Sequence, residues 1–528
     1  MSVEADLLRA FENHSPEAIR ALPATGVGPT EPIGGSWESS LMRTLLVFLL
    51  LTASCSLAAE RPLRAVIVDG LNNHDWATAT AAIKTILEGT TRFTVDVCSY
   101  PKLPEFDHYD VVIDNFNGGH LQTATQWPPE AERALEAYVR GGGGLVVYHA
   151  ANNAFLLWPE FNRMIGLGWR EPSFGSGIAV GPNGQVLTIP QGRGLSPGHG
   201  PRHDFEIFVR DPDHPITRGL PGHWLHPSEQ LTHGQHGPAE GLTLLTYAFS
   251  EISRQGEPMD WVRQYGKGRV YTTMLGHTWN NEANPNLDDI YFQALLARGA
   301  EWAATGEVTL PPDLGWKPLF NGKNLDGWDV RGPGVWSVLD PGVLVGERAH
   351  PQPADPFGRA WPIDRKQYES WLYRQAWLYT KQEFGEYDLH VEYWIPPGAN
   401  SGVSIRDRSR AHSAIGESDS ERPDLASFPK TTPAHIGYEI QIIDDDREKF
   451  LSGSVYTFVP AKTGVERPAE WNSMEIESRN EMIRVRLNGV DVAGYRGDPA
   501  RSKSGPVGLQ LHDQFTVAMF RNIRIRRR

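Results

Sequence analysis

The sequence predicts a two-domain protein, with an α/β domain built on a parallel sheet followed by an all-β domain of packed sheets. The chain of 528 residues is too long for one hydrophobic core, since single cores stop growing near about 250–300 residues. Apolar strand segments alternate with helical segments in the first part, whereas strand follows strand after a short proline-containing segment. This change of pattern predicts domains at 60–308 and 314–528, joined by a linker at 309–313.

A short apolar segment has the form of an export signal. Residues 45–51 form an unbroken apolar run, which follows Met42 and Arg43 and precedes small residues ending at Ala59. A positive start, a short apolar core and a small-residue exit are typical of a secretory signal peptide. The run is too short to span a membrane, which takes about 20 apolar residues. We therefore expect a signal peptide at 42–59, a periplasmic or extracellular protein, and no stable membrane span.

The predicted signal lies inside the chain rather than at its start, where such signals belong. The simplest interpretation is that Met42 is the true start and that residues 1–41 are a mis-assigned extension, because they lack hydrophobic periodicity beyond residue 22. The alternative is a genuine tail that precedes an internal apolar segment. Cys55 follows the apolar run, but the residues before it match a lipobox poorly, so a lipid anchor there is less favoured.

Composition excludes some partners and favours another. The formal net charge of −14, from 64 acidic and 50 basic residues, offers no basic face for nucleic acid. The 17 Trp and 16 Tyr suit stacking on sugar rings, although the same residues also fill protein cores. Two cysteines cannot build a disulfide scaffold or a cysteine-based zinc site. A disaccharide or other glycoside is therefore the expected partner, and the oligomeric state stays open.

The first domain alternates strands with helices. Strands are predicted at 64–69, 94–97, 111–114 and 145–148, with helices at 76–88 and between the last two strands. Proline begins that second helix and a run of four glycines ends it, since proline is favoured at the start of a helix and glycine just after its end. Such alternation implies a parallel sheet covered by helices on both faces, with ligands bound beyond the carboxyl ends of the strands.

Polar side chains follow three of these strand ends. His74 and Asp75 come after the first strand, His120 after the third and His149 after the fourth. Imidazole is the usual general base near neutral pH and the commonest metal ligand. A single histidine of this kind is often only a hydrogen-bonded structural residue, whereas histidines at three strand ends predict a shared site. A divalent metal is one candidate occupant, and no cofactor is certain.

Four segments of this domain resemble the trehalose-utilisation (ThuA-like) family. They read DGLNNHD at 69–75, GGGLVVYHAA at 142–151, DHPITRGL at 213–220 and YGKGRV at 265–270. The resemblance implies a flavodoxin-like fold similar to class I glutamine amidotransferases, and a role in disaccharide or keto-sugar metabolism. His149 then stands roughly where those enzymes carry a cysteine nucleophile, so amidotransferase chemistry is not expected.

The second domain is a succession of short strands. They are predicted at residues 387–394, 403–406, 438–443, 473–477, 483–487 and 517–526. Asn488 and Gly489 between two of them form a strong hairpin signal, because both tolerate the left-handed backbone of a tight turn. Many short strands with Gly and Pro turns predict a two-sheet β-sandwich or jelly roll.

Alternation along three of these strands places planar polar side chains on one face, opposite the apolar residues. The side chains are Asn400, Ser404, Arg406, Glu439, Gln441, Gln510 and His512. A polar face is normal for a half-solvated sheet. Amide, carboxylate, guanidinium and imidazole groups, however, are the groups that pair with sugar hydroxyls and carbonyls. We therefore expect a ligand-binding face, with Asn400, Ser404, Gln441 and Gln510 binding the substrate.

The same domain is similar to the 3-keto-disaccharide hydrolase family throughout its length. The matching segments are LFNGKNLDGW at 319–328, PPGANSGV at 396–403, GYEIQI at 437–442, EWN at 470–472 and GPVGLQ at 505–510. The resemblance implies a concanavalin A-like fold and cleavage of glycosides whose glucose unit is oxidised at C3. Polar insertions at 350–373 and 408–433 depart from the family pattern and leave the size of the substrate open.

A ketone at C3 permits an elimination that ordinary glycosides do not undergo. Glu439 opens a run similar to the E-x-D-x-x-E motif of retaining glucanases, but Gln441 replaces the middle Asp, so retaining hydrolysis is not expected. Instead, a base can remove the acidified C2 proton, and the enolate can expel the C1 substituent. Water then adds back, or the unsaturated sugar is released.

The expected catalytic residues are Glu439, His512 and Arg406. Either Glu439 or His512 is the base and the other is the acid, while Arg406 stabilises the enolate together with the side chains of Asn400 and Gln441. A rival hypothesis is a non-catalytic, carbohydrate-binding jelly roll that serves the first domain. A third hypothesis places catalysis in the first domain alone, through its histidines.

Overall fold

The structure, a computed structural model, describes residues 61–119, 126–339, 342–348, 375–411, 433–512 and 516–527. The predicted N-terminal extension, the predicted signal peptide and Cys55 lie outside these ranges. His120 also lies outside them, as does most of the two polar insertions. None of the helices in the described ranges combines the length and the apolarity that a bilayer crossing takes.

The first domain is built from many strands and a few helices. Its strands are β1 (Leu63–Asp69), β2 (Phe93–Ser99), β3 (Val111–Asp114), β4 (Gly144–Tyr148), β5 (Ser176–Val180), β6 (Val186–Ile189), β7 (Gly198–His199), β8 (His203–Val209), β9 (His223–Glu229), β10 (Thr232–His233), β11 (His236–Gly237), β12 (Leu242–Ser250), β13 (Gln255–Tyr265) and β14 (Gly268–Thr273). Its α-helices are α1 (Trp76–Gly89), α2 (Pro129–Gly141), α3 (Pro159–Ile165) and α4 (Ile290–Thr305). Short 3₁₀ helices occupy Phe106–His108, His149–Asn153 and Pro285–Asp288.

Five strands form the parallel half of one mixed sheet. Their order is β2-β1-β3-β4-β14, and each neighbouring pair is parallel. The sheet continues through β13, β12, β8 and β9 in antiparallel pairs. The prediction of a parallel sheet is therefore confirmed only in part. The chain passes from β13 to β14 through residues 266–267 alone, and so short a link permits only antiparallel pairing.

Successive residues of the parallel strands pack on opposite faces of the sheet. In β1, Ala65 and Ile67 belong to the core that includes residues of α1 and α4, whereas Val66 and Val68 belong to the core that includes residues of α2. All four side chains are fully buried. Because helices cover both faces, β1 reads as a continuous apolar run rather than as an alternating one.

The second domain consists almost entirely of strands. They are β15 (Lys317–Pro318), β16 (Trp328–Arg331), β17 (Gly334–Leu339), β18 (Val343–Arg348), β19 (Ala376–Thr380), β20 (Tyr387–Trp394), β21 (Asn400–Ile405), β22 (Tyr438–Ile443), β23 (Asn472–Arg479), β24 (Met482–Leu487), β25 (Val490–Arg496), β26 (Val507–Leu511) and β27 (Val517–Arg527). A single helical turn, α5 (Pro433–Ile436), precedes β22.

These strands form two antiparallel sheets that pack face to face. One has the order β17-β18-β27-β20-β23-β24-β25, with β15 added against β27, and the other has the order β16-β19-β26-β21-β22. Side chains from both sheets meet in one apolar core, which includes Val391 of β20, Val403 of β21 and Ile440 of β22. This architecture is the two-sheet sandwich that the strand pattern predicts.

The predicted hairpin is confirmed in detail. Asn488 and Gly489 link β24 to β25, and Leu487 pairs with Val490 across the turn. The φ angles of Asn488 and Gly489 are 48° and 76°, so both residues occupy the left-handed region. A two-residue turn of this hand matches the twist of the strands it joins, which is why the Asn-Gly pair specifies it.

Residues 62–528 form one compact unit, and a buried ionic cluster joins its two domains. Arg521 of β27 is 4% exposed and donates to Glu392 Oε2 at 2.6 Å. The same guanidinium contacts Glu206 and donates to His223 Nδ1 at 3.0 Å, both in the first domain. Although burial acts to raise the pKa of Glu392, Arg521 and His390 lower it to about 2. Removing one partner would leave a buried charge without compensation.

Candidate functional site

Three histidines meet at one edge of the mixed sheet. His74 follows β1, His149 follows β4 directly, and His277 follows β14. Their ring centroids lie 4.3 to 5.1 Å apart, and one potential ligand atom from each lies within 4.8 Å of the others. The carboxyl ends of parallel strands share one edge of a sheet, so the topology itself assembles this histidine cluster.

Local contacts fix the orientation of these rings. His149 has a left-handed φ of 45°, and its Nδ1 donates to the Met274 carbonyl at 2.6 Å. His74 Nδ1 lies 2.9 Å from the side-chain oxygen of Asn72 and donates to it. Both rings therefore keep Nε2 available for another partner. The His277 ring lies against Trp279, with the ring centroids 3.9 Å apart.

Burial keeps the cluster uncharged. Desolvation, with a smaller contribution from His149, lowers the pKa of His74 to about 3. Desolvation also lowers the pKa of His149 and that of His277. At neutral pH all three side chains are therefore neutral imidazoles, the form that binds metals and accepts protons.

A buried carboxylate, Glu229, lies behind the cluster. Its Oε2 accepts from Gly276 N at 2.6 Å and from the Asn286 side chain at 2.8 Å. His226 stands between two carboxylates, with Nδ1 2.5 Å from Asp289 Oδ2 and Nε2 3.5 Å from Glu229 Oε2. Although burial acts to lower the pKa of His226, these carboxylates raise it to about 9. The backbone next to the cluster thus rests on a fixed network of buried charges.

The histidine cluster contains two of the four residues predicted for this site. His74 and His149 come together as expected, whereas Asp75 accepts from the backbone N–H and hydroxyl of Thr78 and caps α1. Its carboxylate is therefore committed to the helix. His120 lies outside the described residues. His277 was not singled out, because only the strand order reveals that β14 lies beside β4.

A second group of polar residues occupies the outer face of the five-stranded sheet in the second domain. The strand register and side-chain contacts align two rows across β19, β26, β21 and β22: Tyr379, Gly508, Ser404 and Glu439 in one, and Trp377, Gln510, Gly402 and Gln441 in the other. Residues that pair across antiparallel strands point to the same face. The predicted grouping of Ser404, Glu439, Gln441 and Gln510 on one face is thus observed.

Glu439 is the most perturbed acid on this polar face. It is 4% exposed, and burial, with a smaller contribution from the charge of Asp407, raises the pKa of Glu439 to about 8. Gly402 on the neighbouring strand leaves room for it. A Cβ atom at Gly402 would lie 3.0 Å from Glu439 Oε1 and 3.2 Å from Gln510 Oε1. The carboxyl is therefore buried, held among amides and able to exchange a proton near neutral pH.

Three amides on the polar face bury oxygen atoms that lack partners among the described residues. The side-chain oxygens of Asn400, Gln441 and Gln510 have no hydrogen-bond partner among the residues that the structure describes. A buried polar atom left unpaired costs about 1–3 kcal/mol, so several together are expensive unless a ligand satisfies them. Sugar hydroxyls are donors of the kind that amide oxygens accept.

Two aromatic residues border this face. Trp377 and Tyr379 on β19 are fully buried and stacked, with centroids 5.5 Å apart and planes inclined by 21°. The Tyr379 hydroxyl donates to Asp407 Oδ2 at 2.8 Å, and the backbone N–H of Ala411 donates to the same oxygen at 2.8 Å. Trp377, Tyr379 and Asp407 were not predicted as part of the site, because Asp407 lies beyond the end of β21 and contacts Tyr379 only in the folded protein.

Arg406 does not join the polar face, so its predicted place there is wrong. β21 ends at Ile405, and Arg406 has a left-handed φ of 61° that breaks the alternation. Its guanidinium donates to Ser478 Oγ at 2.7 and 3.0 Å and lies 5.9 Å from the ring centre of Tyr438, which is on the apolar side of β22. Arg406 therefore cannot stabilise charge beside Glu439.

His512 and Glu439 stand at opposite ends of the polar face. The row that contains Glu439 also contains Gly508, which lies four residues before His512. Four residues of extended strand span about 14 Å, and β21 separates the two strands concerned. The predicted pairing of these residues as base and acid on one bond is therefore not supported. The backbone N–H of His512 donates to the Asn400 carbonyl at 3.4 Å.

Comparisons with known proteins match both parts of the chain. A family model described as Trehalose utilisation (ThuA) matches residues 64–303, and one described as a 3-keto-alpha-glucoside-1,2-lyase-like domain matches residues 315–526. A comparison with curated proteins returns no significant match.

Solved structures match each part separately. A protein from Parabacteroides merdae assigned as ThuA-like is 35% identical, with a TM-score of 0.44, and the match covers 47% of this chain and 92% of that one. A protein from Parabacteroides distasonis assigned as a glycosyl hydrolase is 25% identical, with a TM-score of 0.28, over 40% of this chain and 99% of that one. On the two family models, the chain belongs to the ThuA family through its first domain and carries a 3-keto-disaccharide hydrolase-like domain as its second.

Proposed function

We propose that the chain is an exported enzyme that cleaves 3-keto-glycosides, including 3-keto-disaccharides, on the polar face of its second domain. The main support is the buried Glu439 carboxyl, whose pKa is raised to about 8, on a face where three buried amide oxygens have no partners among the described residues. The description of the matching family names a 1,2-lyase of 3-keto-α-glucosides, a substrate class that suits such a site.

Glu439 is the proposed base. Its carboxylate removes the C2 proton, and the electron pair passes into an enolate whose charge resides on the C3 oxygen. The ketone re-forms as the C1–C2 double bond forms and the C1–O bond breaks, and the leaving oxygen takes up a proton. Water adds across the double bond to give the free keto-sugar, or the unsaturated sugar is released. A base is most effective when its pKa lies near the working pH, and burial brings the pKa of Glu439 there.

Amides take the role that the sequence suggested for Arg406. The side chains of Gln441 and Gln510 flank Glu439, and each carries an NH₂ group that can donate to the developing enolate oxygen. Their oxygens, with that of Asn400, can accept from sugar hydroxyls. A preorganised neutral site of this kind stabilises an enolate without placing a cation beside the base, where it would lower the pKa of Glu439.

The proposal is tested with matched oxidised and unoxidised disaccharides. The oxidised sugar should be cleaved and the unoxidised one should be inert, because only the ketone acidifies the C2 proton. Glu439→Gln keeps the shape but removes the carboxylate, and should lower kcat/KM by about 10²-fold or more. The control is Glu466→Gln, because Glu466 is also an acid of this domain whose pKa burial raises, to about 7, but it accepts from the Tyr393 hydroxyl at 3.0 Å, away from the polar face. The control should retain activity.

Cleavage in deuterated water identifies the route. Elimination followed by hydration should place deuterium at C2 of the released sugar, after correction for exchange of the free ketone. Equal cleavage of both substrates without label at C2 would contradict the elimination. Binding of the keto-sugar without turnover would instead favour a non-catalytic, carbohydrate-binding second domain.

A further inference from the structure

We propose that His74, His149 and His277 bind one divalent transition-metal ion, best matched by Zn²⁺, which gives the first domain a chemical site of its own. This inference goes beyond the proposed cleavage reaction and does not depend on it. It rests on four features of the histidine cluster. They are the short distances between the ring nitrogens, the hydrogen bonds of the rings, the buried carboxylate behind them, and the neighbouring side chains of Trp279 and Arg202.

The ring nitrogens are close enough to share an ion. Zinc binds histidine nitrogens at about 2.0–2.1 Å, so two nitrogens on one zinc ion lie at most about 4 Å apart. The candidate ligand atoms of the three histidines all lie within 4.8 Å of one another. Small rotations of the rings therefore suffice to complete the coordination. The three residues follow β1, β4 and β14, which belong to the parallel half of the sheet, and this holds their backbones in place.

Hydrogen bonds prepare these rings as ligands. His149 donates from Nδ1 to the Met274 carbonyl, and His74 donates from Nδ1 to the Asn72 side chain. Metal-bound histidines commonly donate their second N–H to an oxygen in this way, which fixes the tautomer and leaves Nε2 for the ion. His277 Nδ1 is buried without a hydrogen-bond partner among the described residues, a costly state for a polar atom that no ligand satisfies.

A buried anion compensates for the charge of the ion. Both Glu229 oxygens accept from the backbone N–H of His277, at 3.2 and 3.3 Å. The Glu229 carboxylate therefore lies directly behind the backbone of one of the ligands. Three imidazoles with a carboxylate behind them suit a dication, and none of the three rings hydrogen-bonds to another within the described ranges.

Three protein ligands leave one coordination position for an oxygen from water or substrate. This pattern is typical of catalytic zinc sites rather than of structural ones, which are closed by four protein ligands. Trp279 lies against His277, and the Arg202 guanidinium lies 4.0 Å from the ring centre of Trp279. An indole and a cation therefore border the histidine cluster on the side of His277.

Metal titration of the full-length protein tests the site. Protein stripped with a chelator should bind one Zn²⁺ per chain tightly by calorimetry, and Co²⁺ should give the visible spectrum of a four-coordinate site. Asn72→Ala leaves all three ligands in place and should weaken binding by roughly 10–100-fold, the usual effect of losing an orienting partner. His277→Ala should weaken binding further. His108→Ala is the control, because His108 is a histidine of the same domain with a side chain 58% exposed, and it should bind Zn²⁺ as the unaltered protein does.

Circular dichroism separates loss of the site from loss of the fold. A folded His277→Ala variant that still binds one Zn²⁺ as tightly as the His108→Ala control would overturn the proposal. Absence of stoichiometric Zn²⁺ or Co²⁺ binding by the unaltered protein would overturn it as well. Neither result would bear on cleavage by the second domain, because Glu439 lies on the polar face of that domain and is assayed with its own substrate.

Discussion

Glu439→Gln should stabilise the protein at alkaline pH while it removes activity. Burial raises the pKa of Glu439 from 4.5 to about 8, so the folded protein retains a proton between these pH values that the unfolded chain releases. The free energy of unfolding therefore falls as the pH rises through this window and levels off above about pH 8. Glutamine has nearly the same shape and no proton to lose, so the variant escapes this loss.

The expected size of the effect follows from the same shift. A difference of about 3.5 between two pKa values corresponds to about 5 kcal/mol, at 1.36 kcal/mol for each unit. The stability advantage of Glu439→Gln should thus be near zero below about pH 4.5 and grow to about 5 kcal/mol above about pH 8. Domains are commonly stable by about 5–15 kcal/mol, so such a difference is readily measured.

Urea unfolding of both proteins at a series of pH values measures this difference. Subtracting the two curves cancels the contribution of every other titrating group. Glu448→Gln, at an exposed position in the same domain, supplies the control and should give a difference that does not change with pH. A difference between Glu439→Gln and the unaltered protein that stays constant with pH, or that shrinks as the pH rises, would refute the assignment of a buried carboxyl that retains its proton.

Two further substitutions and one N-terminal measurement test other predictions. Gly402→Ala should lower activity with little effect on the fold, since its Cβ atom would crowd Glu439; unchanged kcat/KM would contradict that arrangement. Arg521→Met should destabilise the protein by about 3–5 kcal/mol in urea unfolding, because the buried Glu392 would lose its arginine partner, and an effect below 1 kcal/mol would argue against this ion pair. Export should yield a mature N-terminus near Ala59; N-terminal sequencing of a soluble cytoplasmic form that retains the start of the chain would contradict it.

Local patterns in the sequence predicted much of the second domain. Strand alternation grouped Glu439, Gln441 and Gln510 on one face, because side-chain direction depends only on the backbone remaining extended. The same rule failed at Arg406, where the strand ends and a left-handed φ redirects the side chain. Whether a strand ends one residue earlier or later depends on its neighbours in the sheet, which alternation alone does not reveal.

The first domain shows a different limit. Strand ends identified His74 and His149, because both follow apolar strands that can be recognised individually. His277 follows β14, which reaches the centre of the sheet only because the antiparallel half folds back beside β4. Asp75 was misassigned because an acidic residue before a helix serves equally well as a cap. The order of strands in space, rather than the residue types, was the information that the sequence lacked.

The ionic interface between the domains has a consequence for why they share one chain. Contacts such as Arg521 with Glu206 and His223 exchange hydration for paired charges, an exchange with little net gain between separate molecules. Because both domains belong to one chain, their encounter is intramolecular, at an effective concentration in the millimolar range for short linkers. Polar contacts that would add little affinity between separate proteins can then persist, because the covalent link keeps the two partners together.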